Sequence, residues 1–321
     1  MRIRRDTVSG SIAQRMGGAL LASALAIAAI GGCGGDATSP VSGTVAGQLV
    51  VTNGDASVTS CTVTADGEID SCALREIASL GTPGGVEVAG DRLYVADLGH
   101  DALEVCGLDA NAEPTTCETP AHGDVLKAPL GVVAAGGRLF LSNGDGSIAA
   151  CALAGDGHPR DCALAAPAGT FANPAGLAAY DRFLLIADQR RNAIAVCDAR
   201  GATLERCMTD DGGGAFAQPT GVAVAGDRLF VTNVADDSIT VCRITSDGAL
   251  AGCVESPHVA ELAWPMDIAV NGSVVYVTNA GTHALVTCVV RPNGAVTDCE
   301  EGAAGELFLY PNGLHFVAGE S

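Results

Sequence analysis

The stretch that decides the fold is Pro219-Thr220-Gly221-Val222-Ala223-Val224-Ala225-Gly226-Asp227-Arg228-Leu229-Phe230-Val231-Thr232-Asn233. It reads as a short apolar strand after a proline, a Gly-Asp-Arg turn, and a second strand ending in Asn. Runs of four to six β-branched and aromatic residues bounded by Gly, Asp and Asn are the pattern of antiparallel strands. The same sentence recurs along the chain. Pro83, Pro129, Pro174, Pro219, Pro265 and Pro311 are 45 or 46 residues apart. Each introduces a first strand, a: Gly85–Val88, Gly131–Ala134, Gly176–Ala179, Gly221–Val224, Asp267–Val270 and Gly313–Phe316. Strand b then ends in Asn53, Asp97, Asn143, Asp188, Asn233 or Asn279. Strand c runs to one cysteine and strand d to the next.

A period near 46 residues signals a stacked or radial array. The chain begins this pattern at b (Leu49–Asn53) and stops after a (Gly313–Phe316). A ring explains both ends: the last strand a completes the blade begun by the first b, c and d, which leaves no open sheet edge. The expectation is all-β: a six-bladed β-propeller of four-stranded antiparallel blades over residues 41–321. Residues Pro40–Ala46 are the one place where a degenerate seventh strand a could hide.

Pro-x-Gly-Val-x-Val followed by Leu93-Tyr94-Val95-Ala96-Asp97 resembles the NHL repeat, and Tyr276-Val277-Thr278-Asn279 resembles the YVTN repeat. The resemblance covers essentially all of residues 41–321. It implies that strand a lines a central channel and that strand d lies at the rim. It leaves activity open, because such propellers host lactonases, lyases and binding modules.

The N-terminus carries Arg2, Arg4, Arg5 and Arg15 ahead of an apolar run, Gly17–Ile30, and then Ile30-Gly31-Gly32-Cys33. The run is short for a membrane span. Its end resembles a bacterial lipobox, which implies a signal peptide over 1–32, lipidation at Cys33, a tether over 33–40, and export to a bacterial envelope membrane. The 13 cysteines agree: Cys33 set apart leaves twelve, and twelve pair within blades as Cys61–Cys72, Cys106–Cys117, Cys151–Cys162, Cys197–Cys207, Cys242–Cys253 and Cys288–Cys299. Asp66-Gly67, Asp156-Gly157, Asp247-Gly248 and Asn293-Gly294 sit midway between partners, which suggests two-residue hairpin turns that set the cysteines opposite each other. There is no Cys-x-x-Cys of the kind a zinc or haem site needs.

Charge narrows the partners. Basic residues number 17 and acidic ones 37, a net of −20. A body this acidic repels phosphate backbones, so nucleic acid is not an expected partner. Contact with membrane is expected through the lipid alone, and a monomer is expected. The protein, glycan or small-molecule ligand is not specified by any motif.

Residues that break the repeat mark candidate sites. The third position of strand a reads Glu87, Val133, Ala178, Ala223, Ala269 and His315, and Asp267 replaces a glycine that stands in the other five repeats. Glu87, His315 and Asp267 fall on three consecutive inner strands. A carboxylate–imidazole–carboxylate sector can bind a cation or move protons, and can equally lock blades together. His122 and His258 follow the second cysteines of blades half a ring apart, in loops leading to strand a. Trp264 and Tyr310 precede prolines of adjacent blades, where aromatic rings could stack on a ligand. No nucleophile elbow, metalloprotease helix or phosphate loop is present. The resulting expectation is a non-catalytic binding or scaffold lipoprotein with no cofactor. The alternative is a lactonase- or lyase-like enzyme with a divalent cation, calcium or zinc, near Glu87, Asp267 and His315.

Overall fold

The computed structural model describes residues 45–256 and 261–319; the expected signal peptide and tether, Cys33 and His258 lie outside them. Blade 1 begins with β1 (Val45–Asn53), β2 (Ser57–Thr64) and β3 (Ile69–Glu76). Blade 2 holds β4 (Pro83–Ala89), β5 (Arg92–Asp97), β6 (Ala102–Leu108) and β7 (Pro114–Glu118). Blade 3 holds β8 (Pro129–Ala135), β9 (Arg138–Asn143), β10 (Ile148–Leu153) and β11 (Pro159–Ala166). Blade 4 holds β12 (Pro174–Tyr180), β13 (Phe183–Asp188), β14 (Ala193–Asp198) and β15 (Glu205–Asp210). Blade 5 holds β16 (Pro219–Ala225), β17 (Arg228–Asn233), β18 (Ser238–Ile244) and β19 (Leu250–Ser256). Blade 6 holds β20 (Pro265–Asn271), β21 (Val274–Asn279), β22 (Ala284–Val290) and β23 (Val296–Ala304). Then β24 (Pro311–Ala318) returns to pair with β1, giving the order β24-β1-β2-β3. The protein is a six-bladed β-propeller. Val45 and Ala46 belong to β1, a strand b, so among the described residues no seventh strand a exists.

Strands b and c of each blade are buried on both faces, as in Leu93–Asp97 and Ala102–Cys106. They pack against the next blade, so six apolar clusters follow one another around the ring. The apolar residue three before each proline (Leu80, Leu126, Phe171, Phe216, Leu262, Phe308) is buried in every case, at 5% exposure or less. These residues wedge between blades, as their repetition suggests.

Strand d is different. β3, β7 and β15 are largely exposed and have little apolar surface to bury. The disulfide compensates: all six expected pairs form, each from a buried cysteine on strand c to its partner on d, with Cα atoms 4.0–4.1 Å apart. That is closer than an ordinary opposed pair (~4.5–5.5 Å). The turns differ from the two-residue form expected. Thr64 O accepts from Gly67 N and Thr64 N donates to Glu68 O, both at 2.9 Å, which closes a three-residue loop. Only the glycine is left-handed, at φ 86°, and Gly157, Gly248 and Gly294 repeat this at 77°, 91° and 92°. Each ladder then takes a one-residue irregularity on the way to its cysteines. The longer loop and the irregularity offset one another, so Cys61 still faces Cys72. A type I turn with a bulge supplies the right-handed twist that a blade needs.

Inner strands are held by a belt of hydroxyls. Thr52, Ser142, Thr232 and Thr278 occupy the fourth position of strand b. Each accepts, at 2.8 Å, the amide of Gly313, Gly131, Gly221 or Asp267 on strand a of its own blade. Three of them also donate to the next blade's strand a: Thr52 to Gly84 O at 2.5 Å, Ser142 to Ala175 O at 2.6 Å and Thr278 to Asn312 O at 2.7 Å. In blade 5 the equivalent carbonyl contact is long, and Thr220 supplies the donor to Pro265 O at 2.9 Å. Ala96 and Ala187 interrupt the belt in blades 2 and 4.

Candidate functional site

Strand a is the edge of every sheet. The six copies surround a channel of about 610 Å³ whose walls are mostly Val, Leu, Ala and Gly, with no Lys or Arg. Side chains at the first and third positions of each strand lean toward the following blade. A Cβ placed on Gly176 would meet Gly221 of blade 5, and one on Gly313 would meet Gly85 of blade 2. This close approach is why five of six repeats carry glycine there.

The same lean brings two of the three sequence candidates together. His315 Nδ1 of blade 1 lies 3.3 Å from Glu87 Oε2 of blade 2. Their side chains are 26% and 13% exposed, which leaves both reachable from the channel. Asp267 of blade 6 leans toward blade 1 but meets backbone. Its Oδ2 accepts from Leu314 N and its Oδ1 from Ile268 N, both at 2.9 Å. Burial raises its carboxyl to about 7. The two amides and the nearby His315 pull it down, and Glu87 pushes it up. Asp267 therefore shares the sector with Glu87 and His315 without converging on the same point. Among the described residues no group of three or more His, Cys, Asp or Glu side chains is disposed to hold a metal ion.

The face bearing the loops into strand a is set by a latch with two forms. In blades 1, 3, 5 and 6 the residue before the proline is left-handed: Tyr310, Ala128, Gln218 and Trp264, at φ 47–55°. Its amide donates to a side chain in the b–c turn of the preceding blade: His283 at 3.0 Å, Asp101 at 2.5 Å, Asn192 at 2.9 Å and Asp237 at 2.8 Å. Strand b of those blades ends in Asn. At the equivalent turn position, the blades preceding blades 2 and 4 carry Ala56 and Gly146. There strand b ends in Asp, and that carboxylate takes both loop amides: Asp97 from Gly81 and Thr82 at 2.9 Å, Asp188 from Ala172 and Asn173 at 3.0–3.1 Å. The left-handed form turns Trp264 and Tyr310 outward, at 61% and 52% exposure. Tyr310 meets the His283 ring edge-on at 4.4 Å. Neither aromatic is among the residues that line the channel.

His122 lies elsewhere, in a second cavity of about 500 Å³ lined also by His100, Asp97, Asp101, Asp124 and Glu104. Its Nδ1 is buried without a hydrogen-bond partner. Glu104, 1% exposed, is held there by Ser79 at 2.5 Å and Thr119 at 2.6 Å. The signal for this residue is a carboxylate on strand c where other repeats have Thr59, Ala149, Ala195, Thr240 and Val286.

No family pattern and no curated protein matches the chain. Solved structures do. One is a chain from a nidogen–laminin complex, at 12% identity and a TM-score of 0.68, over 85% of this chain and 99% of that one. Another is a candidate 6-phosphogluconolactonase from Bacteroides uniformis, at 15% identity and a TM-score of 0.58, over 84% of each chain. A third is a candidate 6-phosphogluconolactonase from Bacteroides fragilis, at 11% identity and a TM-score of 0.58, over 85% of this chain and 98% of that one. The likeness is one of fold. At these identities it carries no residue roles.

Proposed function

We propose that this chain is an exported, lipid-anchored, non-catalytic propeller that binds a small molecule in its central channel. The observation that carries the reading is the reachable Glu87–His315 pair, 3.3 Å apart, in a channel walled mostly by apolar side chains and glycine. A mostly apolar cavity with a few convergent polar groups is the usual form of a small-ligand site. Six disulfides suit an oxidising, exported setting.

The lactonase alternative draws support from the two candidate 6-phosphogluconolactonases and from the carboxylate–imidazole pair, which is chemically able to activate water. A phosphorylated substrate is best held by cationic side chains, and no Lys or Arg lines the channel. That favours binding over turnover of a sugar phosphate.

The test is a thermal-shift screen of the exported chain against small polar metabolites, repeated on Glu87→Gln and His315→Gln. Ligand-induced shifts that vanish in both variants are expected. Hydrolysis of γ- or δ-lactones, with or without added calcium or zinc, that disappears in Glu87→Gln would overturn the non-catalytic reading. Cys33→Ala is expected to leave the exported chain out of the membrane fraction; retention there would remove the lipid anchor from the proposal.

A further inference from the structure

The backbone of the channel carries information that the side chains do not. Ile268 and Leu314 hold the second position of their strand a, opposite Val277 and Val51 on strand b. Their amides do not enter the ladder; both donate to the Asp267 carboxylate. Val86, Val132, Leu177 and Val222 have the same register, opposite Val95, Leu141, Ile186 and Val231. In an antiparallel edge strand, amides at equivalent register point the same way. The four therefore turn toward the channel as those of Ile268 and Leu314 do. The preceding residue on the neighbouring blade is glycine, so no side chain covers them. A Cβ built at Gly313, Gly85 or Gly176 would sit 2.7, 3.2 or 3.1 Å from the amide nitrogen of Val86, Val132 or Val222. Asp267 fills that place in blade 6 and shows what it accepts: a carboxylate.

Leu177 and Val222, in blades 4 and 5, lie across the ring from His315 and Glu87, in blades 1 and 2. The Leu177 and Val222 amides thus face a carboxylate acceptor across the channel, and apolar side chains lie between. We infer that the channel ligand is a small amino-carboxylate, its carboxylate on the amides of Leu177 and Val222 and its ammonium on Glu87. A ligand without net charge also avoids the repulsion that a chain of net charge −20 exerts on a free anion. This inference rests on the channel reading above and specifies its ligand class.

Calorimetric titration of the exported chain tests it, using linear ω-amino acids of four to eight carbons. The matching alkanoates, alkylamines and ω-hydroxy acids serve as comparisons. The best amino acid is expected to bind at least tenfold more tightly than the matching acid, amine and hydroxy acid. Glu87→Gln is expected to remove that advantage over the acid. Asp267→Gly restores the residue of the other five repeats and frees two more amides, so it is expected to tighten every carboxylate severalfold. Asp267→Asn removes the same charge but keeps an oxygen on the amides, and is expected to tighten them less. Equal effects of Gly and Asn would overturn the role of the amides, and a hydroxy acid that binds as tightly as the amino acid would overturn the ammonium assignment. Glu87-dependent binding of small molecules with no preference for a carboxylate overturns this inference and leaves the channel reading standing. If no probe, including the metabolites screened above, binds in a Glu87-dependent way, both fall.

Discussion

Asp267 makes the stability of the ring depend on pH in a direction opposite to that of an ordinary paired carboxylate. Burial holds its folded-state pKa near 7 against 3.8 for the free group. A raised acid binds its proton more tightly in the folded state, so its contribution is complete below about 4 and is lost as pH rises through 7. At ~1.4 kcal/mol per tenfold change in proton affinity, the gap between 3.8 and about 7 sets a ceiling of ~4 kcal/mol. Part of that ceiling is already lost at pH 4.5, and the change expected between pH 4.5 and 8.5 is ~3 kcal/mol. The perturbation is Asp267→Asn, which keeps an oxygen for one amide and cannot ionise. Urea unfolding of both proteins, disulfides intact, is compared at half-unit steps from pH 4.5 to 8.5. Titrations common to both cancel in the difference. Relative to the wild type, the Asn protein is expected to gain stability steadily up to pH ~7.5 and then level off. Parallel pH curves would show that Asp267 ionises as a solvated carboxyl does, and would refute the argument that burial outweighs its two amide bonds.

Ser142→Ala removes an acceptor from the Gly131 amide and a donor from the Ala175 carbonyl, and is expected to cost ~1–3 kcal/mol in the same unfolding assay. Ala96→Ser and Ala187→Ser extend the belt and are expected to raise the midpoint; a lowered midpoint in both would sink the belt as a stabilising device. The latch predicts a coupled pair. Asp97→Asn leaves one loop amide facing an NH2 group and is expected to cost ~1–3 kcal/mol. Ala56→Asp, at a position already left-handed at φ 66°, supplies the acceptor used in other blades. The double variant is expected to recover most of the loss, and strict additivity would refute the latch.

The architecture was legible because two independent periodicities agreed. Six prolines set the phase of strand a, and twelve cysteines set the pairing of c with d. What was not legible depends on contacts between blades. Thr52, Ser142, Thr232 and Thr278 stand in register in the sequence, but each hydroxyl acts through the backbone of strand a, and most reach a carbonyl of the next blade. The choice of Asn or Asp at the end of strand b follows the preceding blade's turn, a correlation visible only once the blades are known to touch there. Glu87 and His315 were found because neighbours in the ring can be counted from the repeat. The partner of Asp267 was missed because pattern breaks reveal side chains, and its partners are main-chain amides. Glu104 does not stand out because its position on strand c already varies among Thr, Ala and Val.

The clips and the closure lie at opposite extremes of sequence distance. Each cysteine pair spans 10 or 11 residues, so its hairpin is a local unit that can oxidise before the rest of the ring exists. The first blade has to wait. β1 exposes Val50 and Val51 with no inner partner until Pro311 and the residues after it arrive. Assembly in chain order therefore gives a string of stapled ribbons first and a ring last. Until its final strand docks, the half-made molecule offers an unpaired edge to proteases.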